Sequence, residues 1–328
     1  MTSQDLMCII IITVPDTPLN DAYHVGSFNL ERTYLMLELK EHQPPMTVDE
    51  QIANLQDKGL IIEDVEYARS FLMDVSYFRL IKAYSLGLKE KNGNYHENTR
   101  FGDIVNLYLF NAKFRQRLFA EIEKVEVNLR CRLSNYFCGK YGIFAYEDIN
   151  NFAISAELYS IFYNDIQREV ARNSRAQFVK NFQDNYKGGK VPLYALVELL
   201  SFGTLSKFYK NMKNEDKKAV AAFFGVGYTY FESWIENMAY VRNICAHYGR
   251  LYNVKLAKTP RLYKQYEVGN GRIFATILAL KHILPNDRHW HDFVQTVELL
   301  IKKHPSVNLH LIGFPQKWRE YINSPAHR

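Results

Sequence analysis

Cysteine is scarce in this chain of 328 residues: Cys8, Cys131, Cys138 and Cys245 are the four present, and no two stand in a CxxC pair. That argues against a disulfide framework and fits a reduced, cytoplasmic compartment. Glycine (16) and proline (10) are also sparse, which weighs against a loop-rich β fold. Long apolar runs are missing as well. The run Leu6 to Ile12 is far short of the roughly 20 residues a spanning helix needs, and Asp5 rather than a basic cluster precedes it. Neither a membrane anchor nor a secretory signal is therefore expected. The chain has no P-loop, GxGxxG or HExxH, which leaves an NTPase, a dehydrogenase or a zincin without support. His282, His289, His291 and His304 lack ligand spacing with carboxylates or thiols, so no metal and no cofactor is expected.

What is present is an apolar, aromatic chain, 47% hydrophobic with 23 Tyr and 21 Phe, enough to bury a large core. The net charge of +6 is unevenly placed. From Tyr248 to Arg328 there are 13 Lys and Arg against 5 Asp and Glu. A basic C-terminal quarter attracts polyanions, nucleic acid first among them; an ordinary solvated surface is the plainer alternative.

Helical periodicity dominates. Thr47 and Glu50 have capping-box spacing, and Gly59 closes that helix. A second helix starts after Asp64, and Ser76 to Leu88 reads as a third. The longest element spans Gly102 to Phe137, with Leu107, Phe114, Leu118, Ile122, Val125, Leu129, Leu133 and Tyr136 on an apolar stripe. Two helices fall within residues 157–186. Pro192 suits a first helical position, and the following apolar run breaks at Gly203. Asn214 is a candidate cap, and Thr229 with Glu232 gives a second capping box. After a polar connection, Lys255 to Asn270, helices are expected over Arg272 to Leu284 and His289 to His304, then a short segment with Trp318. Strand-like alternation is nearly absent, so the expected fold class is all-α.

One stretch gathers the chemistry: Tyr240 to Asn253, YVRNICAHYGRLYN. Arg242 carries a permanent charge in a planar fork suited to phosphate oxygens. His247 moves protons near neutral pH. Asn243 lies at i, i+4 to His247 and thus on the same helical face. Such a pair is by itself a weak signal, since many are merely solvated.

Five segments in order resemble the AbiD/AbiF-type abortive-infection proteins, a bacterial anti-phage family of the HEPN superfamily. They are MTVDEQIANLQDKGLIIED, SYFRLIKAYSL, IEKVEVNLRCRLSNYF, PLYALVELLSFGTLSKFY and VRNICAHYGRLYN, spanning about Pro44 to Asn253. The resemblance implies a HEPN-like helical bundle over residues 46–328, with additional N- and C-terminal helices. The C-terminal part, from about residue 254, is basic. Residues 1–45 are expected to be a dispensable extension. The resemblance further implies metal-independent RNA cleavage, with the family's arginine at Arg242, its polar position at Asn243 and its histidine at His247.

In that reading His247 serves the ribose 2′-OH or the leaving 5′-oxygen as general base or acid, and Arg242 stabilises charge on phosphorus. The products end in a 2′,3′-cyclic phosphate and a 5′-OH, and DNA is a poor substrate because it lacks the 2′-OH. Arg242 and His247 are about 140° apart around a helix, and the chain has one such motif, so a homodimer is expected to complete the site. Glu126, Asn128 and Arg130 match the long-helix segment; they either support the site or pair structurally. Tyr248, Arg250 and Tyr252 either hold RNA or pack the helix end. The alternative function is a non-catalytic RNA-binding module associated with a small non-coding RNA; a protein-interaction module is a third.

Overall fold

Thr47 begins the folded chain as its sequence requires. Its hydroxyl accepts from the Glu50 N–H at 3.3 Å, and the Glu50 carboxylate accepts from the Thr47 N–H at 2.7 Å. Two orphan donors at the start of helix α1 (Val48–Asp57) are thereby satisfied. The structure, a computed structural model, describes residues 42, 44–284 and 287–324. The expected N-terminal extension falls almost wholly outside the described residues.

Gly59, at φ 82°, ends α1, and the Asp64 carboxylate caps α2 (Val65–Asp74) by accepting from Tyr67 N–H at 2.9 Å. The helix expected over Ser76 to Leu88 is shorter. Helical backbone covers residues 77–84 and includes a π-helical turn, Phe78–Lys82. Gly87, at φ 85°, turns the chain before Leu88.

The long helix is α3 (Phe101–Tyr141), about 60 Å from end to end at 1.5 Å per residue. Ile104, Leu107, Phe114, Leu118, Ile122, Val125, Leu129, Leu133 and Phe137 are buried along one side of it. Phe137, not Tyr136, completes the stripe; Tyr136 is half-buried and its hydroxyl donates to Asp216 at 2.8 Å. The chain continues through α4 (Ala156–Arg172), α5 (Gln177–Asn185), α6 (Leu193–Leu199), α7 (Phe202–Asn211), α8 (Asn214–Ala222) and α9 (Tyr228–Ala246). The last three helices are α10 (Ile273–Ile283), α11 (Asp287–Lys303) and α12 (Trp318–Asn323). Helices α6, α9 and α11 lie along α3, while α7, α8 and α10 lie against α9. Every residue of α10 is buried, as expected of a helix apolar all round. Three isolated bridges are the only β pairing among the described residues, so the fold is all-α. No helix among these residues is long and apolar enough to cross a membrane.

Several local expectations shift. The apolar run after Pro192 breaks at Ser201 rather than Gly203, because the Ser201 hydroxyl caps α7 by accepting from Thr204 N–H. Pro192 is the N-cap of α6, and Asn214 is the first residue of α8 rather than its cap. Thr229 and Glu232 form no capping box. Gly227 is the N-cap of α9, and Glu232 is taken by Lys217 on α8 at 2.9 Å.

Candidate functional site

Helix α9 buries Phe231, Trp234, Ile235, Met238, Val241 and Cys245, a set that follows the helical period along one side. This orientation places Arg242, Asn243 and His247 on or near the opposite side. Two side chains anchor the connection that follows. Trp234 Nε1 donates to Arg261 O at 2.6 Å, and Asn237 Nδ2 donates to Lys258 O at 2.7 Å.

Arg242 is held from the long helix. Its Nε lies 3.4 Å from Glu126 Oε2 on α3, and its guanidinium stands 5.6 Å from the Phe119 ring centroid. Nη1 donates weakly to Asn243 Oδ1 at 3.4 Å. The side chain remains 32% exposed, whereas that of Glu126 is only 9% exposed. Glu126 also pairs with Arg130 one turn along, and Arg130 donates to Val197 O near the end of α6. One carboxylate thus joins two guanidiniums and ties α3 to α6 and α9. The charge sum of that trio is +1, which suits an anionic ligand beside Arg242. Asn128, between Glu126 and Arg130 in sequence, is exposed on another face of α3.

Helix α9 ends at His247, its C-cap, whose N–H donates to Asn243 O at 3.0 Å. Asn243 and His247 are both exposed. Beyond them the chain makes a Schellman turn. Tyr248 N–H donates to Cys245 O at 3.2 Å and Gly249 N–H to Ile244 O at 2.7 Å. Tyr248 occupies the left-handed position at φ 57°, where glycine is usual and a bulky side chain is strained. Gly249 is needed for a different reason: a Cβ there would sit 2.7 Å from Ile244 Cγ2 and 3.0 Å from Ile244 O.

Tyr248 is 67% exposed. Tyr252, by contrast, is buried, so its ring offers no open face for a base; its backbone N–H and that of Leu251 donate to Asn111 Oδ1 at 3.0 and 2.8 Å. Arg250 is half-buried and donates to Ala83 O. Burial pushes the Cys245 thiol up to about 12, so it stays protonated at neutral pH and is no nucleophile.

Residues that sequence reasoning passed over also meet here. Arg79 and Arg115 donate to the carbonyls of Tyr248 and Gly249. The available signal was polarity on a buried stripe: Asn111, Arg115 and Glu126 all lie on the inner side of α3. Among the described residues no group of three or more His, Cys, Asp or Glu is placed to hold a metal ion.

Compared with known families, residues 70–253 match the family described as Abi-like protein. Neither a curated protein nor a solved structure matches the chain. The matched span takes in Arg79, Arg115, Glu126, Arg242 and His247, and it stops just past the Schellman turn.

Proposed function

This chain belongs to the Abi-like protein family, and from that membership we propose that it is an anti-phage abortive-infection protein of the AbiD/AbiF type, on a HEPN scaffold, that cleaves RNA without a metal ion in the cytoplasm. The observation that carries this reading is the pairing of Arg242 with Glu126 across α9 and α3. It fixes a guanidinium at the surface of the helix that ends in the exposed His247.

The chemistry uses the substrate's own nucleophile. The ribose 2′-oxygen attacks the adjacent phosphorus while a base removes the hydroxyl proton. The bond from phosphorus to the 5′-oxygen breaks, and that oxygen takes a proton from an acid. His247 has the right kind of group for either transfer. Arg242 offers N–H donors to the oxygens that gain charge as phosphorus becomes five-coordinate. The products are a 2′,3′-cyclic phosphate and a 5′-hydroxyl.

One copy supplies one imidazole, and Arg242 and His247 are separated by about 7.5 Å along the helix as well as by about 140° around it. A two-fold homodimer brings a second Arg242/His247 set to the same phosphate, so that one histidine accepts the proton and the other donates it. Asn243, exposed between them, binds a phosphate oxygen or the imidazole.

The test is cleavage of labelled RNA and DNA of one sequence by purified protein in EDTA, beside Arg242→Ala and His247→Ala. RNA-only cleavage, lost in both variants while RNA binding persists, is expected. Cleavage untouched by His247→Ala refutes the assignment. Tight binding with no cleavage favours the module that associates with a small non-coding RNA.

A further inference from the structure

Three arginines with no ion pair to any described carboxylate converge on the turn that follows His247. Arg79 Nη1 donates to Tyr248 O at 3.0 Å, Arg115 Nη1 donates to Gly249 O at 3.2 Å, and Arg250 Nη1 donates to Ala83 O, just after the π-helical turn that carries Arg79. Arginines at a helix C-terminus have an ordinary explanation, since the end of α9 presents the equivalent of about −0.5 charge. That offsets only a fraction of three full charges. The nearby Tyr84 hydroxyl offsets none, because burial pushes it up to about 12 and keeps it neutral at pH 7.

More than two positive charges therefore remain, and they are not all dissolved in solvent. Arg115 is 8% exposed and Arg250 is half-buried, while Arg79 is exposed. Each guanidinium gives one described hydrogen bond to a carbonyl out of five N–H donors, so the exposed Arg79 and the half-buried Arg250 retain donors for an oxyanion. Two irregular pieces of backbone meet at this point. One is the π turn, Phe78–Lys82, and the other is Tyr248 at φ 57°. Both conformations carry a cost and recur where a ligand is bound. The Tyr248 ring is largely open to solvent on one side and lies 5.7 Å from the Arg115 guanidinium on the other.

We propose that Arg79, Arg115 and Arg250 form a phosphate subsite for an RNA strand, receiving a phosphodiester that flanks the one at His247, with the Tyr248 ring as the stacking surface for the neighbouring base. The assignment deepens, and rests on, the reading of this protein as an RNA-cleaving enzyme. Adjacency supplies the order along the strand: His247 and Tyr248 are consecutive, so a strand crossing the imidazole runs onto the arginines. Arginine forks suit phosphate, and an aromatic face accepts any base.

The experiment measures binding of a 2′-fluoro RNA oligonucleotide, which lacks the attacking hydroxyl, by fluorescence anisotropy across a salt series. Arg79→Gln is the principal variant because the side chain is exposed. Tyr248→Gly places at that position the residue it usually takes, and Arg168→Gln on α4 is the distant control. Thermal melts verify folding. Arg79→Gln is expected to weaken binding several-fold and to reduce the slope of log K against log salt by about 1. Tyr248→Gly is expected to weaken binding with the slope unchanged, and Arg168→Gln to match wild type. An Arg79→Gln slope equal to that of wild type overturns the subsite, even where the protein cleaves RNA normally. The expected binding pattern without any cleavage of ordinary RNA leaves the subsite standing and removes the nuclease reading. Wild-type protein that binds no RNA overturns both.

Discussion

Glu126→Gln keeps the shape of the side chain and removes the one carboxylate shared by Arg130 and Arg242. The Glu126–Arg130 pair is the buried half of the trio, with side-chain exposures of 9% and 12%. Stripping the charge from one member of a buried pair costs about 3–5 kcal/mol, because the partner is left uncompensated. The low end applies, since Arg130 keeps its bond to Val197 O and Arg242 is partly solvated. A loss of about 3 kcal/mol corresponds to roughly 6 °C in Tm at about 2 °C per kcal/mol for a chain of this size. Cleavage should suffer separately. Without Glu126 the Arg242 guanidinium keeps only Phe119 and a 3.4 Å contact to Asn243. Misplacement of such a group by about 1 Å lowers kcat/KM by up to about 100-fold. The assay is thermal denaturation at pH 7 together with RNA cleavage well below the transition, on Glu126→Gln, Arg242→Ala and the double variant. In the Arg242→Ala background, Glu126→Gln should lower Tm further but cleavage no further, because residues acting through one group are not additive. Cleavage losses that multiply in the double variant, or a single variant that melts and cleaves as wild type does, refute the coupling.

Two further outcomes follow from the geometry. Gly249→Ala forces a Cβ into Ile244 at 2.7 Å from Cγ2 and 3.0 Å from the carbonyl oxygen; a cost of about 1–3 kcal/mol is expected, and a melt unchanged from wild type contradicts it. Lys281 is buried and donates to Tyr321 O at 2.5 Å and Ser324 Oγ at 2.6 Å, and burial lowers its pKa to about 8. The unfolded chain holds that proton up to about pH 10.4. Between about pH 8 and 10.4 the unfolded state therefore binds more protons, and this group's contribution to stability rises with pH. Wild type should gain on Lys281→Met in urea midpoint between pH 7.5 and 9.5; a gap that stays constant with pH excludes that linkage.

Elements carried by local chemistry were legible in the sequence. The Thr47–Glu50 box, the Asp64 cap and the apolar stripe of α3 each need only residues within a turn or two, and each stands where periodicity puts it. The start of α9 was not legible for the same reason in reverse: Glu232 had the spacing for a capping box, but Lys217 on α8 claims it. Residue types singled out Arg242, Asn243 and His247 as candidates. What holds them was hidden, because Glu126 is 116 positions from Arg242 in sequence and its Arg130 partner at i+4 already explained it as a helix pair. Tyr252 was left open in the sequence between holding RNA and packing the helix end, and it packs. Its burial depends on Asn111 fastening the backbone at Leu251 and Tyr252, a contact across 140 residues. Polar residues on an inner helix face, Asn111, Arg115 and Glu126, were the sequence's own indication of long-range partners.

The two halves of the motif are oriented by different parts of the fold. Arg242 lies in the body of α9 and answers to α3 through Glu126 and Phe119. His247 is the C-cap, at φ −93° and ψ 20°, so the Schellman turn directs it, and that turn answers to Gly249, Arg79 and Arg115. Perturbations should divide along the same line. Glu126→Gln acts on the charge around Arg242, where the proposed reading puts the phosphate, and so lowers cleavage by a similar factor across the pH–rate profile. Gly249→Ala acts on the position of His247, the proposed proton-transfer group, and so alters the shape of the pH–rate profile as well as its height. Identical profile shapes for the two variants, scaled only in height, show that turn and helix act as one unit and that the division is wrong.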